Sequence, residues 1–126
     1  MKCKVPWCEE ERAVDTIRCA KHNADEARYM RTKRRNIRAK VLAKLGNRCA
    51  CCGETTVEFL CLDHVQNDGN KERRSLTGGT NHGGSHRCYQ KAWALGCPPE
   101  RYQLLCANCN HGKQLCGVCP HKKGMA

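Results

Sequence analysis

Cys106-Ala107-Asn108-Cys109-Asn110-His111-Gly112-Lys113 reads as a Cys-x-x-Cys knuckle running into a helix that starts near Ala107 and ends by Leu115. A matching pair, Cys49 and Cys52, lies well upstream. Between the pairs, residues 57 to 65 (Val-Glu-Phe-Leu-Cys-Leu-Asp-His-Val) read as a strand, and residues 101 to 106 (Arg-Tyr-Gln-Leu-Leu-Cys) as a second, shorter one. Two separated Cys-x-x-Cys pairs supply the four thiolates that a tetrahedral Zn2+ takes. Such an ion would tie the segment before the first strand to the end of the second. Cys51 falls outside the two-residue spacing and reads as spare.

Composition supports metal staples. The chain has 126 residues but only nine Leu, six Val, two Ile and one Phe, too little aliphatic material for a large core. Its 13 Cys suit either a secreted disulfide framework or zinc in a reducing compartment. The odd count and the N-terminus, Met-Lys-Cys-Lys-Val-Pro-Trp-Cys, which lacks an apolar signal core, favour zinc and a cytoplasmic location. No apolar run is long enough to span a membrane. Formal net charge is +11 with thiols neutral. Two structural zinc sites, one with four thiolates and one with three, would leave about +8. A chain this basic points to nucleic acid as partner, ahead of an acidic membrane surface.

A second constellation stands at the N-terminus. Cys3, Cys8, Cys19 and His22 offer four ligands from two turns, with no open position, so this site would be structural. The alternative is a set of reduced residues packed as small hydrophobes. Residues 23 to 46 then read as one basic helix. Asn23 followed by Glu26 suggests a capping box, Met30, Ile37, Val41 and Leu45 recur at helical spacing, and Gly46 is a natural stop. Around them lie Arg28, Arg31, Lys33, Arg34, Arg35, Arg38, Lys40, Lys44 and Arg48, opposed only by Asp25 and Glu26. A merely solvated helix would mix signs; this one suits phosphate contact.

Residues 66 to 100 read mainly as turns and loops, from Asn67-Asp68-Gly69-Asn70, Gly78-Gly79 and Gly83-Gly84, with a short helix near 86 to 95. Lys71, Arg73, Arg74, Arg87 and Lys91 could meet DNA or cover a site. Cys116, Cys119 and His121 form a weaker cluster, with Cys88, Cys97, His82 or His86 as candidates for a fourth ligand to a third zinc. Cys61, inside a strand, is expected to pack in the core.

Asp63 and His64 close the first strand, where neighbours would face opposite sides unless the strand ends there, as Gln66 to Gly69 permit. An Asp carboxylate and the Asn110 carbonyl are hard oxygen donors suited to Mg2+ or Mn2+, and a neutral His64 can take a proton from water. Taken alone, the Asp-His pair could equally be buried and hydrogen-bonded. In combination, Cys49/Cys52, Asp63-His64, Cys106/Cys109 and Asn110 resemble the zinc-containing HNH (His-Me finger, ββα-metal) endonucleases over about residues 47 to 115. Within that family the chain is most similar to the phage recombination endonuclease VII-like branch, which carries Asn at the third motif position.

The resemblance implies an α+β, zinc-stabilised ββα-metal finger. His64 would be the general base, with Asp63 and Asn110 holding the catalytic cation. The products would carry 5′-phosphate and 3′-hydroxyl ends. The middle Asn of the motif has no clear counterpart. The expected organisation is a zinc knuckle at 1–22, a basic DNA-contacting helix at 23–46, and a nuclease domain at 47–126 with the four-cysteine site and a Cys-rich tail. Arg28, Arg31, Lys33, Arg34, Arg35, Arg38 and Lys113 are the expected DNA contacts. A homodimer is one route to cutting both strands. The competing reading is a zinc-braced DNA-binding regulator without catalysis; an RNA-binding role is weaker, because few aromatics are available for base stacking.

Overall fold

The computed structural model describes residues 1–79 and 84–123. Its elements are α1 (Ala20–Lys44), a 3-10 turn (Val57–Phe59), β1 (Leu60–His64), α2 (Gly69–Thr77), α3 (Gly84–Ala94), β2 (Tyr102–Cys106), α4 (Ala107–Cys116) and α5 (Pro120–Lys123). The class is small α+β, with one two-stranded antiparallel sheet among the described residues. No helix there is long and apolar enough to cross a membrane. The chain forms two compact units, Met1–Asn36 and Ile37–Ala126.

In the first unit the N-terminal segment folds back on itself through a bridge between Lys2 and Glu11. Lys4 N–H donates to Ile17 O at 3.0 Å. α1 begins at Ala20, ahead of the expected Asn23 cap. Cys19 O accepts the first helical bond, from Asn23 N–H at 2.9 Å, and the Asn23 side chain donates to Arg18 O instead. Starting there places Cys19 and His22 one turn apart on a common face. Asp25 and Glu26 therefore lie past the first turn. Arg28, Arg31, Lys33, Arg34 and Arg35 are all exposed. These cations present their charge to solvent, while Met30 among them is half-buried.

The second unit is built on β1 and β2, paired from Leu60–Cys106 to His64–Tyr102. The expected first strand is shorter than its sequence pattern. Residues 57–59 form the 3-10 turn because β2 ends at Cys106, opposite Leu60, leaving them no partner; Phe59 is exposed. The C-terminal part of α1 packs here. Leu42 joins Leu60, Leu104, Leu105 and four cysteines in one apolar cluster, and Val41 joins Ala92, Cys97 and Tyr102 in another. Arg38, expected to contact DNA, is half-buried, and its guanidinium donates to Val57 O and Leu60 O, so it closes the open end of the strand. Asn47 N–H to Leu42 O and Gly46 N–H to Ala43 O end α1 in a Schellman turn, with Gly46 at φ 96°.

The stretch expected to be mostly loop holds α2. Asn67, at φ 59°, turns the chain after β1, and the helix formers that follow run to Gly78, which is left-handed. α4 follows β2 directly, as expected, and packs on both strands. Cys61 is only half-buried, its thiol donating to Leu105 O at 3.1 Å, rather than sitting in the core.

Candidate functional site

All thirteen cysteines are free thiols. Two of the expected ligand sets converge as read from the sequence: Cys3, Cys8, Cys19 and His22 in the first unit, and Cys49, Cys52, Cys106 and Cys109 in the second. Zn–S and Zn–N bonds of about 2.3 and 2.0 Å set tetrahedral ligand atoms roughly 3.6–3.8 Å apart. In the first set His22 Nδ1 lies 3.4 Å from Cys3 Sγ and 3.3 Å from Cys19 Sγ, and Cys8 Sγ lies 3.9 Å from Cys19 Sγ. In the second, Cys52 Sγ lies 3.6 Å from Cys106 Sγ. Both sets could hold zinc. Burial opposes ionisation of Cys49, but backbone hydrogen bonds led by that from Cys52 outweigh it and hold the thiol down at about 6. Cys3 is held at about 6 in the same way, by backbone bonds from Val5 and Cys19.

The loop around Cys49 is anchored to the sheet by Ala50 N–H donating to Leu104 O at 2.8 Å. At the start of α4, Cys106 Sγ accepts from Cys109 N–H. The knuckles thereby fix where α4 starts relative to β1. A cleft of about 590 Å³ opens beside this junction. Asp63, His64, Asn110 and Lys113 all line it, together with Asn67, Gly69, Asn70 and Arg73. The three residues expected to act together are therefore brought to one cavity, and β1 ends at His64 as that requires.

Lys113 departs from expectation. Its ammonium lies 2.6 Å from Asp63 Oδ2 and 2.8 Å from His64 O, and its side chain is largely buried. The α4 turn after Asn110 points it back onto β1, so it is engaged inside the site and not displayed for a phosphate. Gln103, opposite Asp63 in the sheet, donates to the same carboxylate oxygen at 2.8 Å. His111, by contrast, is on the surface.

Glu72 was not legible as a site residue. It lies on α2, is buried, and accepts a hydrogen bond from His64 Nε2. It also accepts from Tyr102 Oη at 2.6 Å and Arg101 at 2.9 Å, with Lys91 at 3.5 Å. Burial pushes the Glu72 carboxyl up, but the bonds from His64 and Tyr102 prevail and hold it down at about 2. Cys88 meets the same carboxylate and its thiol is pushed up to about 11, by burial first and then by the Glu72 charge. His64, Glu72 and Cys88 are close enough to share a metal. Two cations and a phenol already satisfy the carboxylate, so the trio reads as a hydrogen-bonded network around a buried anion. The one sequence signal for Glu72 is the run of helix formers after Asp68, a residue type favoured at helix starts.

This network orients the imidazole. An ionised Glu72 keeps the proton on Nε2 and leaves the Nδ1 lone pair on the side of Gly69, which lines the cleft. The ring also meets Tyr102 edge-on at 5.2 Å. Because its folded pKa lies below the ordinary carboxylate value of 4.5, Glu72 contributes stability above about pH 4.5 that is lost as pH falls toward 2. The full linkage amounts to about 3 kcal/mol. Urea unfolding between pH 5 and 2 should therefore show a steeper loss of stability in the wild type than in Glu72→Gln. Parallel curves would mean that Glu72 is not held as a buried anion.

Searches of protein-family models, curated proteins and solved structures found nothing that matches the chain. The function rests on the residues themselves.

Proposed function

We propose that the chain is a DNA endonuclease of the HNH type, hydrolysing phosphodiester bonds at the cleft between β1, α2 and α4. The observation that carries this reading is the imidazole of His64, held through Nε2 by an ionised Glu72 with Nδ1 beside the cleft that Asp63 and Asn110 also line. A base needs a fixed ring and a defined tautomer, and this arrangement supplies both. His64 Nδ1 takes the proton of the attacking water, and Glu72 stabilises the imidazolium that results. Arg73, on the cleft wall, offers a cation to the phosphate.

The donor chemistry of Asp63 and Asn110 fits a hard cation, which binds few protein oxygens and keeps several waters. Bound there, Mg2+ or Mn2+ would stabilise charge on the phosphate and on the 3′ leaving oxygen. Lys113 competes for the Asp63 carboxylate and has to turn away for the cation to enter. The exposed cations of α1, Arg28 to Arg35, suit the DNA backbone at large.

The direct test is nicking or cleavage of plasmid DNA by the zinc-loaded chain with Mg2+ or Mn2+. Salt-sensitive DNA binding without cleavage under any divalent ion would leave the regulator reading in its place. Gly69 sharpens the test. A Cβ there would sit 2.8 Å from His64 Nδ1 and 3.2 Å from Arg73 Nη1, while Gly69 itself has ordinary helical backbone. Gly69→Ala should cost about 1–3 kcal/mol, because the buried imidazole has to give way to the new methyl, and thermal unfolding measures that cost separately from activity. It should lower cleavage on the order of 10²-fold by crowding the base. Full activity in that variant would place the reacting water elsewhere.

A further inference from the structure

Cys109 belongs to two ligand sets at once. Besides Cys49, Cys52 and Cys106, it converges with Cys51, Cys119 and His121, all four ligand atoms lying within 4.8 Å of one another. His121 Nδ1 is 3.4 Å from Cys109 Sγ, 3.5 Å from Cys119 Sγ and 3.8 Å from Cys51 Sγ. Those are the edges of a zinc tetrahedron, roughly 3.6 Å for sulfur and nitrogen. We propose that this unit holds a binuclear zinc centre in which the Cys109 thiolate bridges the two ions. One ion takes Cys49, Cys52 and Cys106 as its other ligands, and the other takes Cys51, Cys119 and His121.

Seven ligands complete two tetrahedra only if one is shared, and Cys109 is the residue common to both sets. It is fully buried between them, at the first turn of α4. A thiolate has lone pairs enough for two metals, and zinc accepts sulfur-rich surroundings readily. Six thiol protons leave as two Zn2+ enter, so the centre carries a net charge of about −2, as does a single zinc with four thiolates.

The tail is shaped to reach this place. Gly117, at φ 75°, reverses the chain after α4. α5 then returns across α4, and Pro120 lies where a side chain on residue 112 would be: a Cβ on Gly112 would meet Pro120 Cδ at 2.6 Å. That close approach sets Cys119, buried, and His121 beside Cys109. The expected third cluster is thereby redrawn. Cys116 is exposed and outside it, Cys51 is a ligand and not spare, and Cys88 and Cys97 are occupied in other surroundings. His82 lies outside the described residues.

Native mass spectrometry of the full chain should count three zinc ions, two here and one at Cys3, Cys8, Cys19 and His22. Cys51→Ser and Cys119→Ser should each lower the count to two with the far-ultraviolet circular dichroism kept. Gly112→Val, which displaces the tail without touching a ligand, should do the same. In the wild type loaded with 113Cd, two resonances should split each other through the shared sulfur while the third stays single. Two metals in the wild type, unchanged by Cys119→Ser, would overturn the centre. Three metals with no mutual splitting would overturn the bridge. Neither readout depends on nuclease activity.

Discussion

If the chain is the proposed endonuclease, His64→Ala should lose metal-dependent DNA cleavage on the order of 10³-fold, within the range that a positioned general base contributes. The expectation follows from the ring's surroundings. Nε2 is committed to Glu72, the ring and Tyr102 meet edge-on, and Nδ1 is turned toward Gly69. Among the described residues, no other imidazole lines that cleft. Because His64 is buried and paired with an anion, alanine also costs stability. His64→Gln separates the two effects. It can still donate to Glu72 but cannot serve as a base, so it should fold and bind zinc like the wild type and remain inactive. Cleavage retained by His64→Gln would dismiss His64 as the base, even if His64→Ala failed to fold. Glu72→Gln should lower the rate less and move the acid limb of the pH–rate profile, because it acts through the histidine.

Stripping zinc should unfold the second unit outright. Structural zinc contributes about 10–16 kcal/mol in small metal-braced domains, whereas a whole domain is stable by only about 5–15 kcal/mol. The apolar clusters here cannot replace it: four members of the larger cluster are themselves cysteines of the ligand sets. Each unit holds one tryptophan, Trp7 in the first and Trp93 in the second. In a Trp7→Phe background the remaining fluorescence reports on the second unit, where Lys40 sits over the Trp93 ring. A strong chelator should shift that emission to the unfolded value and collapse the helical circular dichroism, with recovery on adding zinc back. Native emission from demonstrably metal-free protein would mean that the thiols pack as ordinary hydrophobes.

Much of the framework could be read directly from residue order. Cys-x-x-Cys spans one tight turn, so the donors at Cys49/Cys52 and Cys106/Cys109 are set by local spacing, and pairing two such turns follows from the number of ligands zinc takes. β2 running straight into α4, and a break after His64, were visible in the same local way. The start of α1 differs from the one Asn23 predicts, because a good cap sequence yields to the placement of Cys19 and His22. Strand propensity at Val57 and Phe59 yielded to the absence of a partner strand.

The remaining features depend on side chains that meet across elements far apart in the chain. Glu72 reaches His64 only because α2 folds against the sheet end, and Lys113 reaches Asp63 only because α4 packs on β1. Arg38 belongs to the basic run by composition, yet its place on α1 sets it against the carbonyls of Val57 and Leu60. Cys51, Cys119 and His121 converge on Cys109 through a left-handed glycine and a glycine–proline contact. Residue type and spacing thus point to the candidate metal donors and to Asp63, His64 and Asn110, because those depend on local geometry. Which histidine nitrogen meets Glu72, which lysine reaches the Asp63 carboxylate and which cysteine belongs to both candidate ligand groups depend on packing, because no spacing rule records contacts between distant elements.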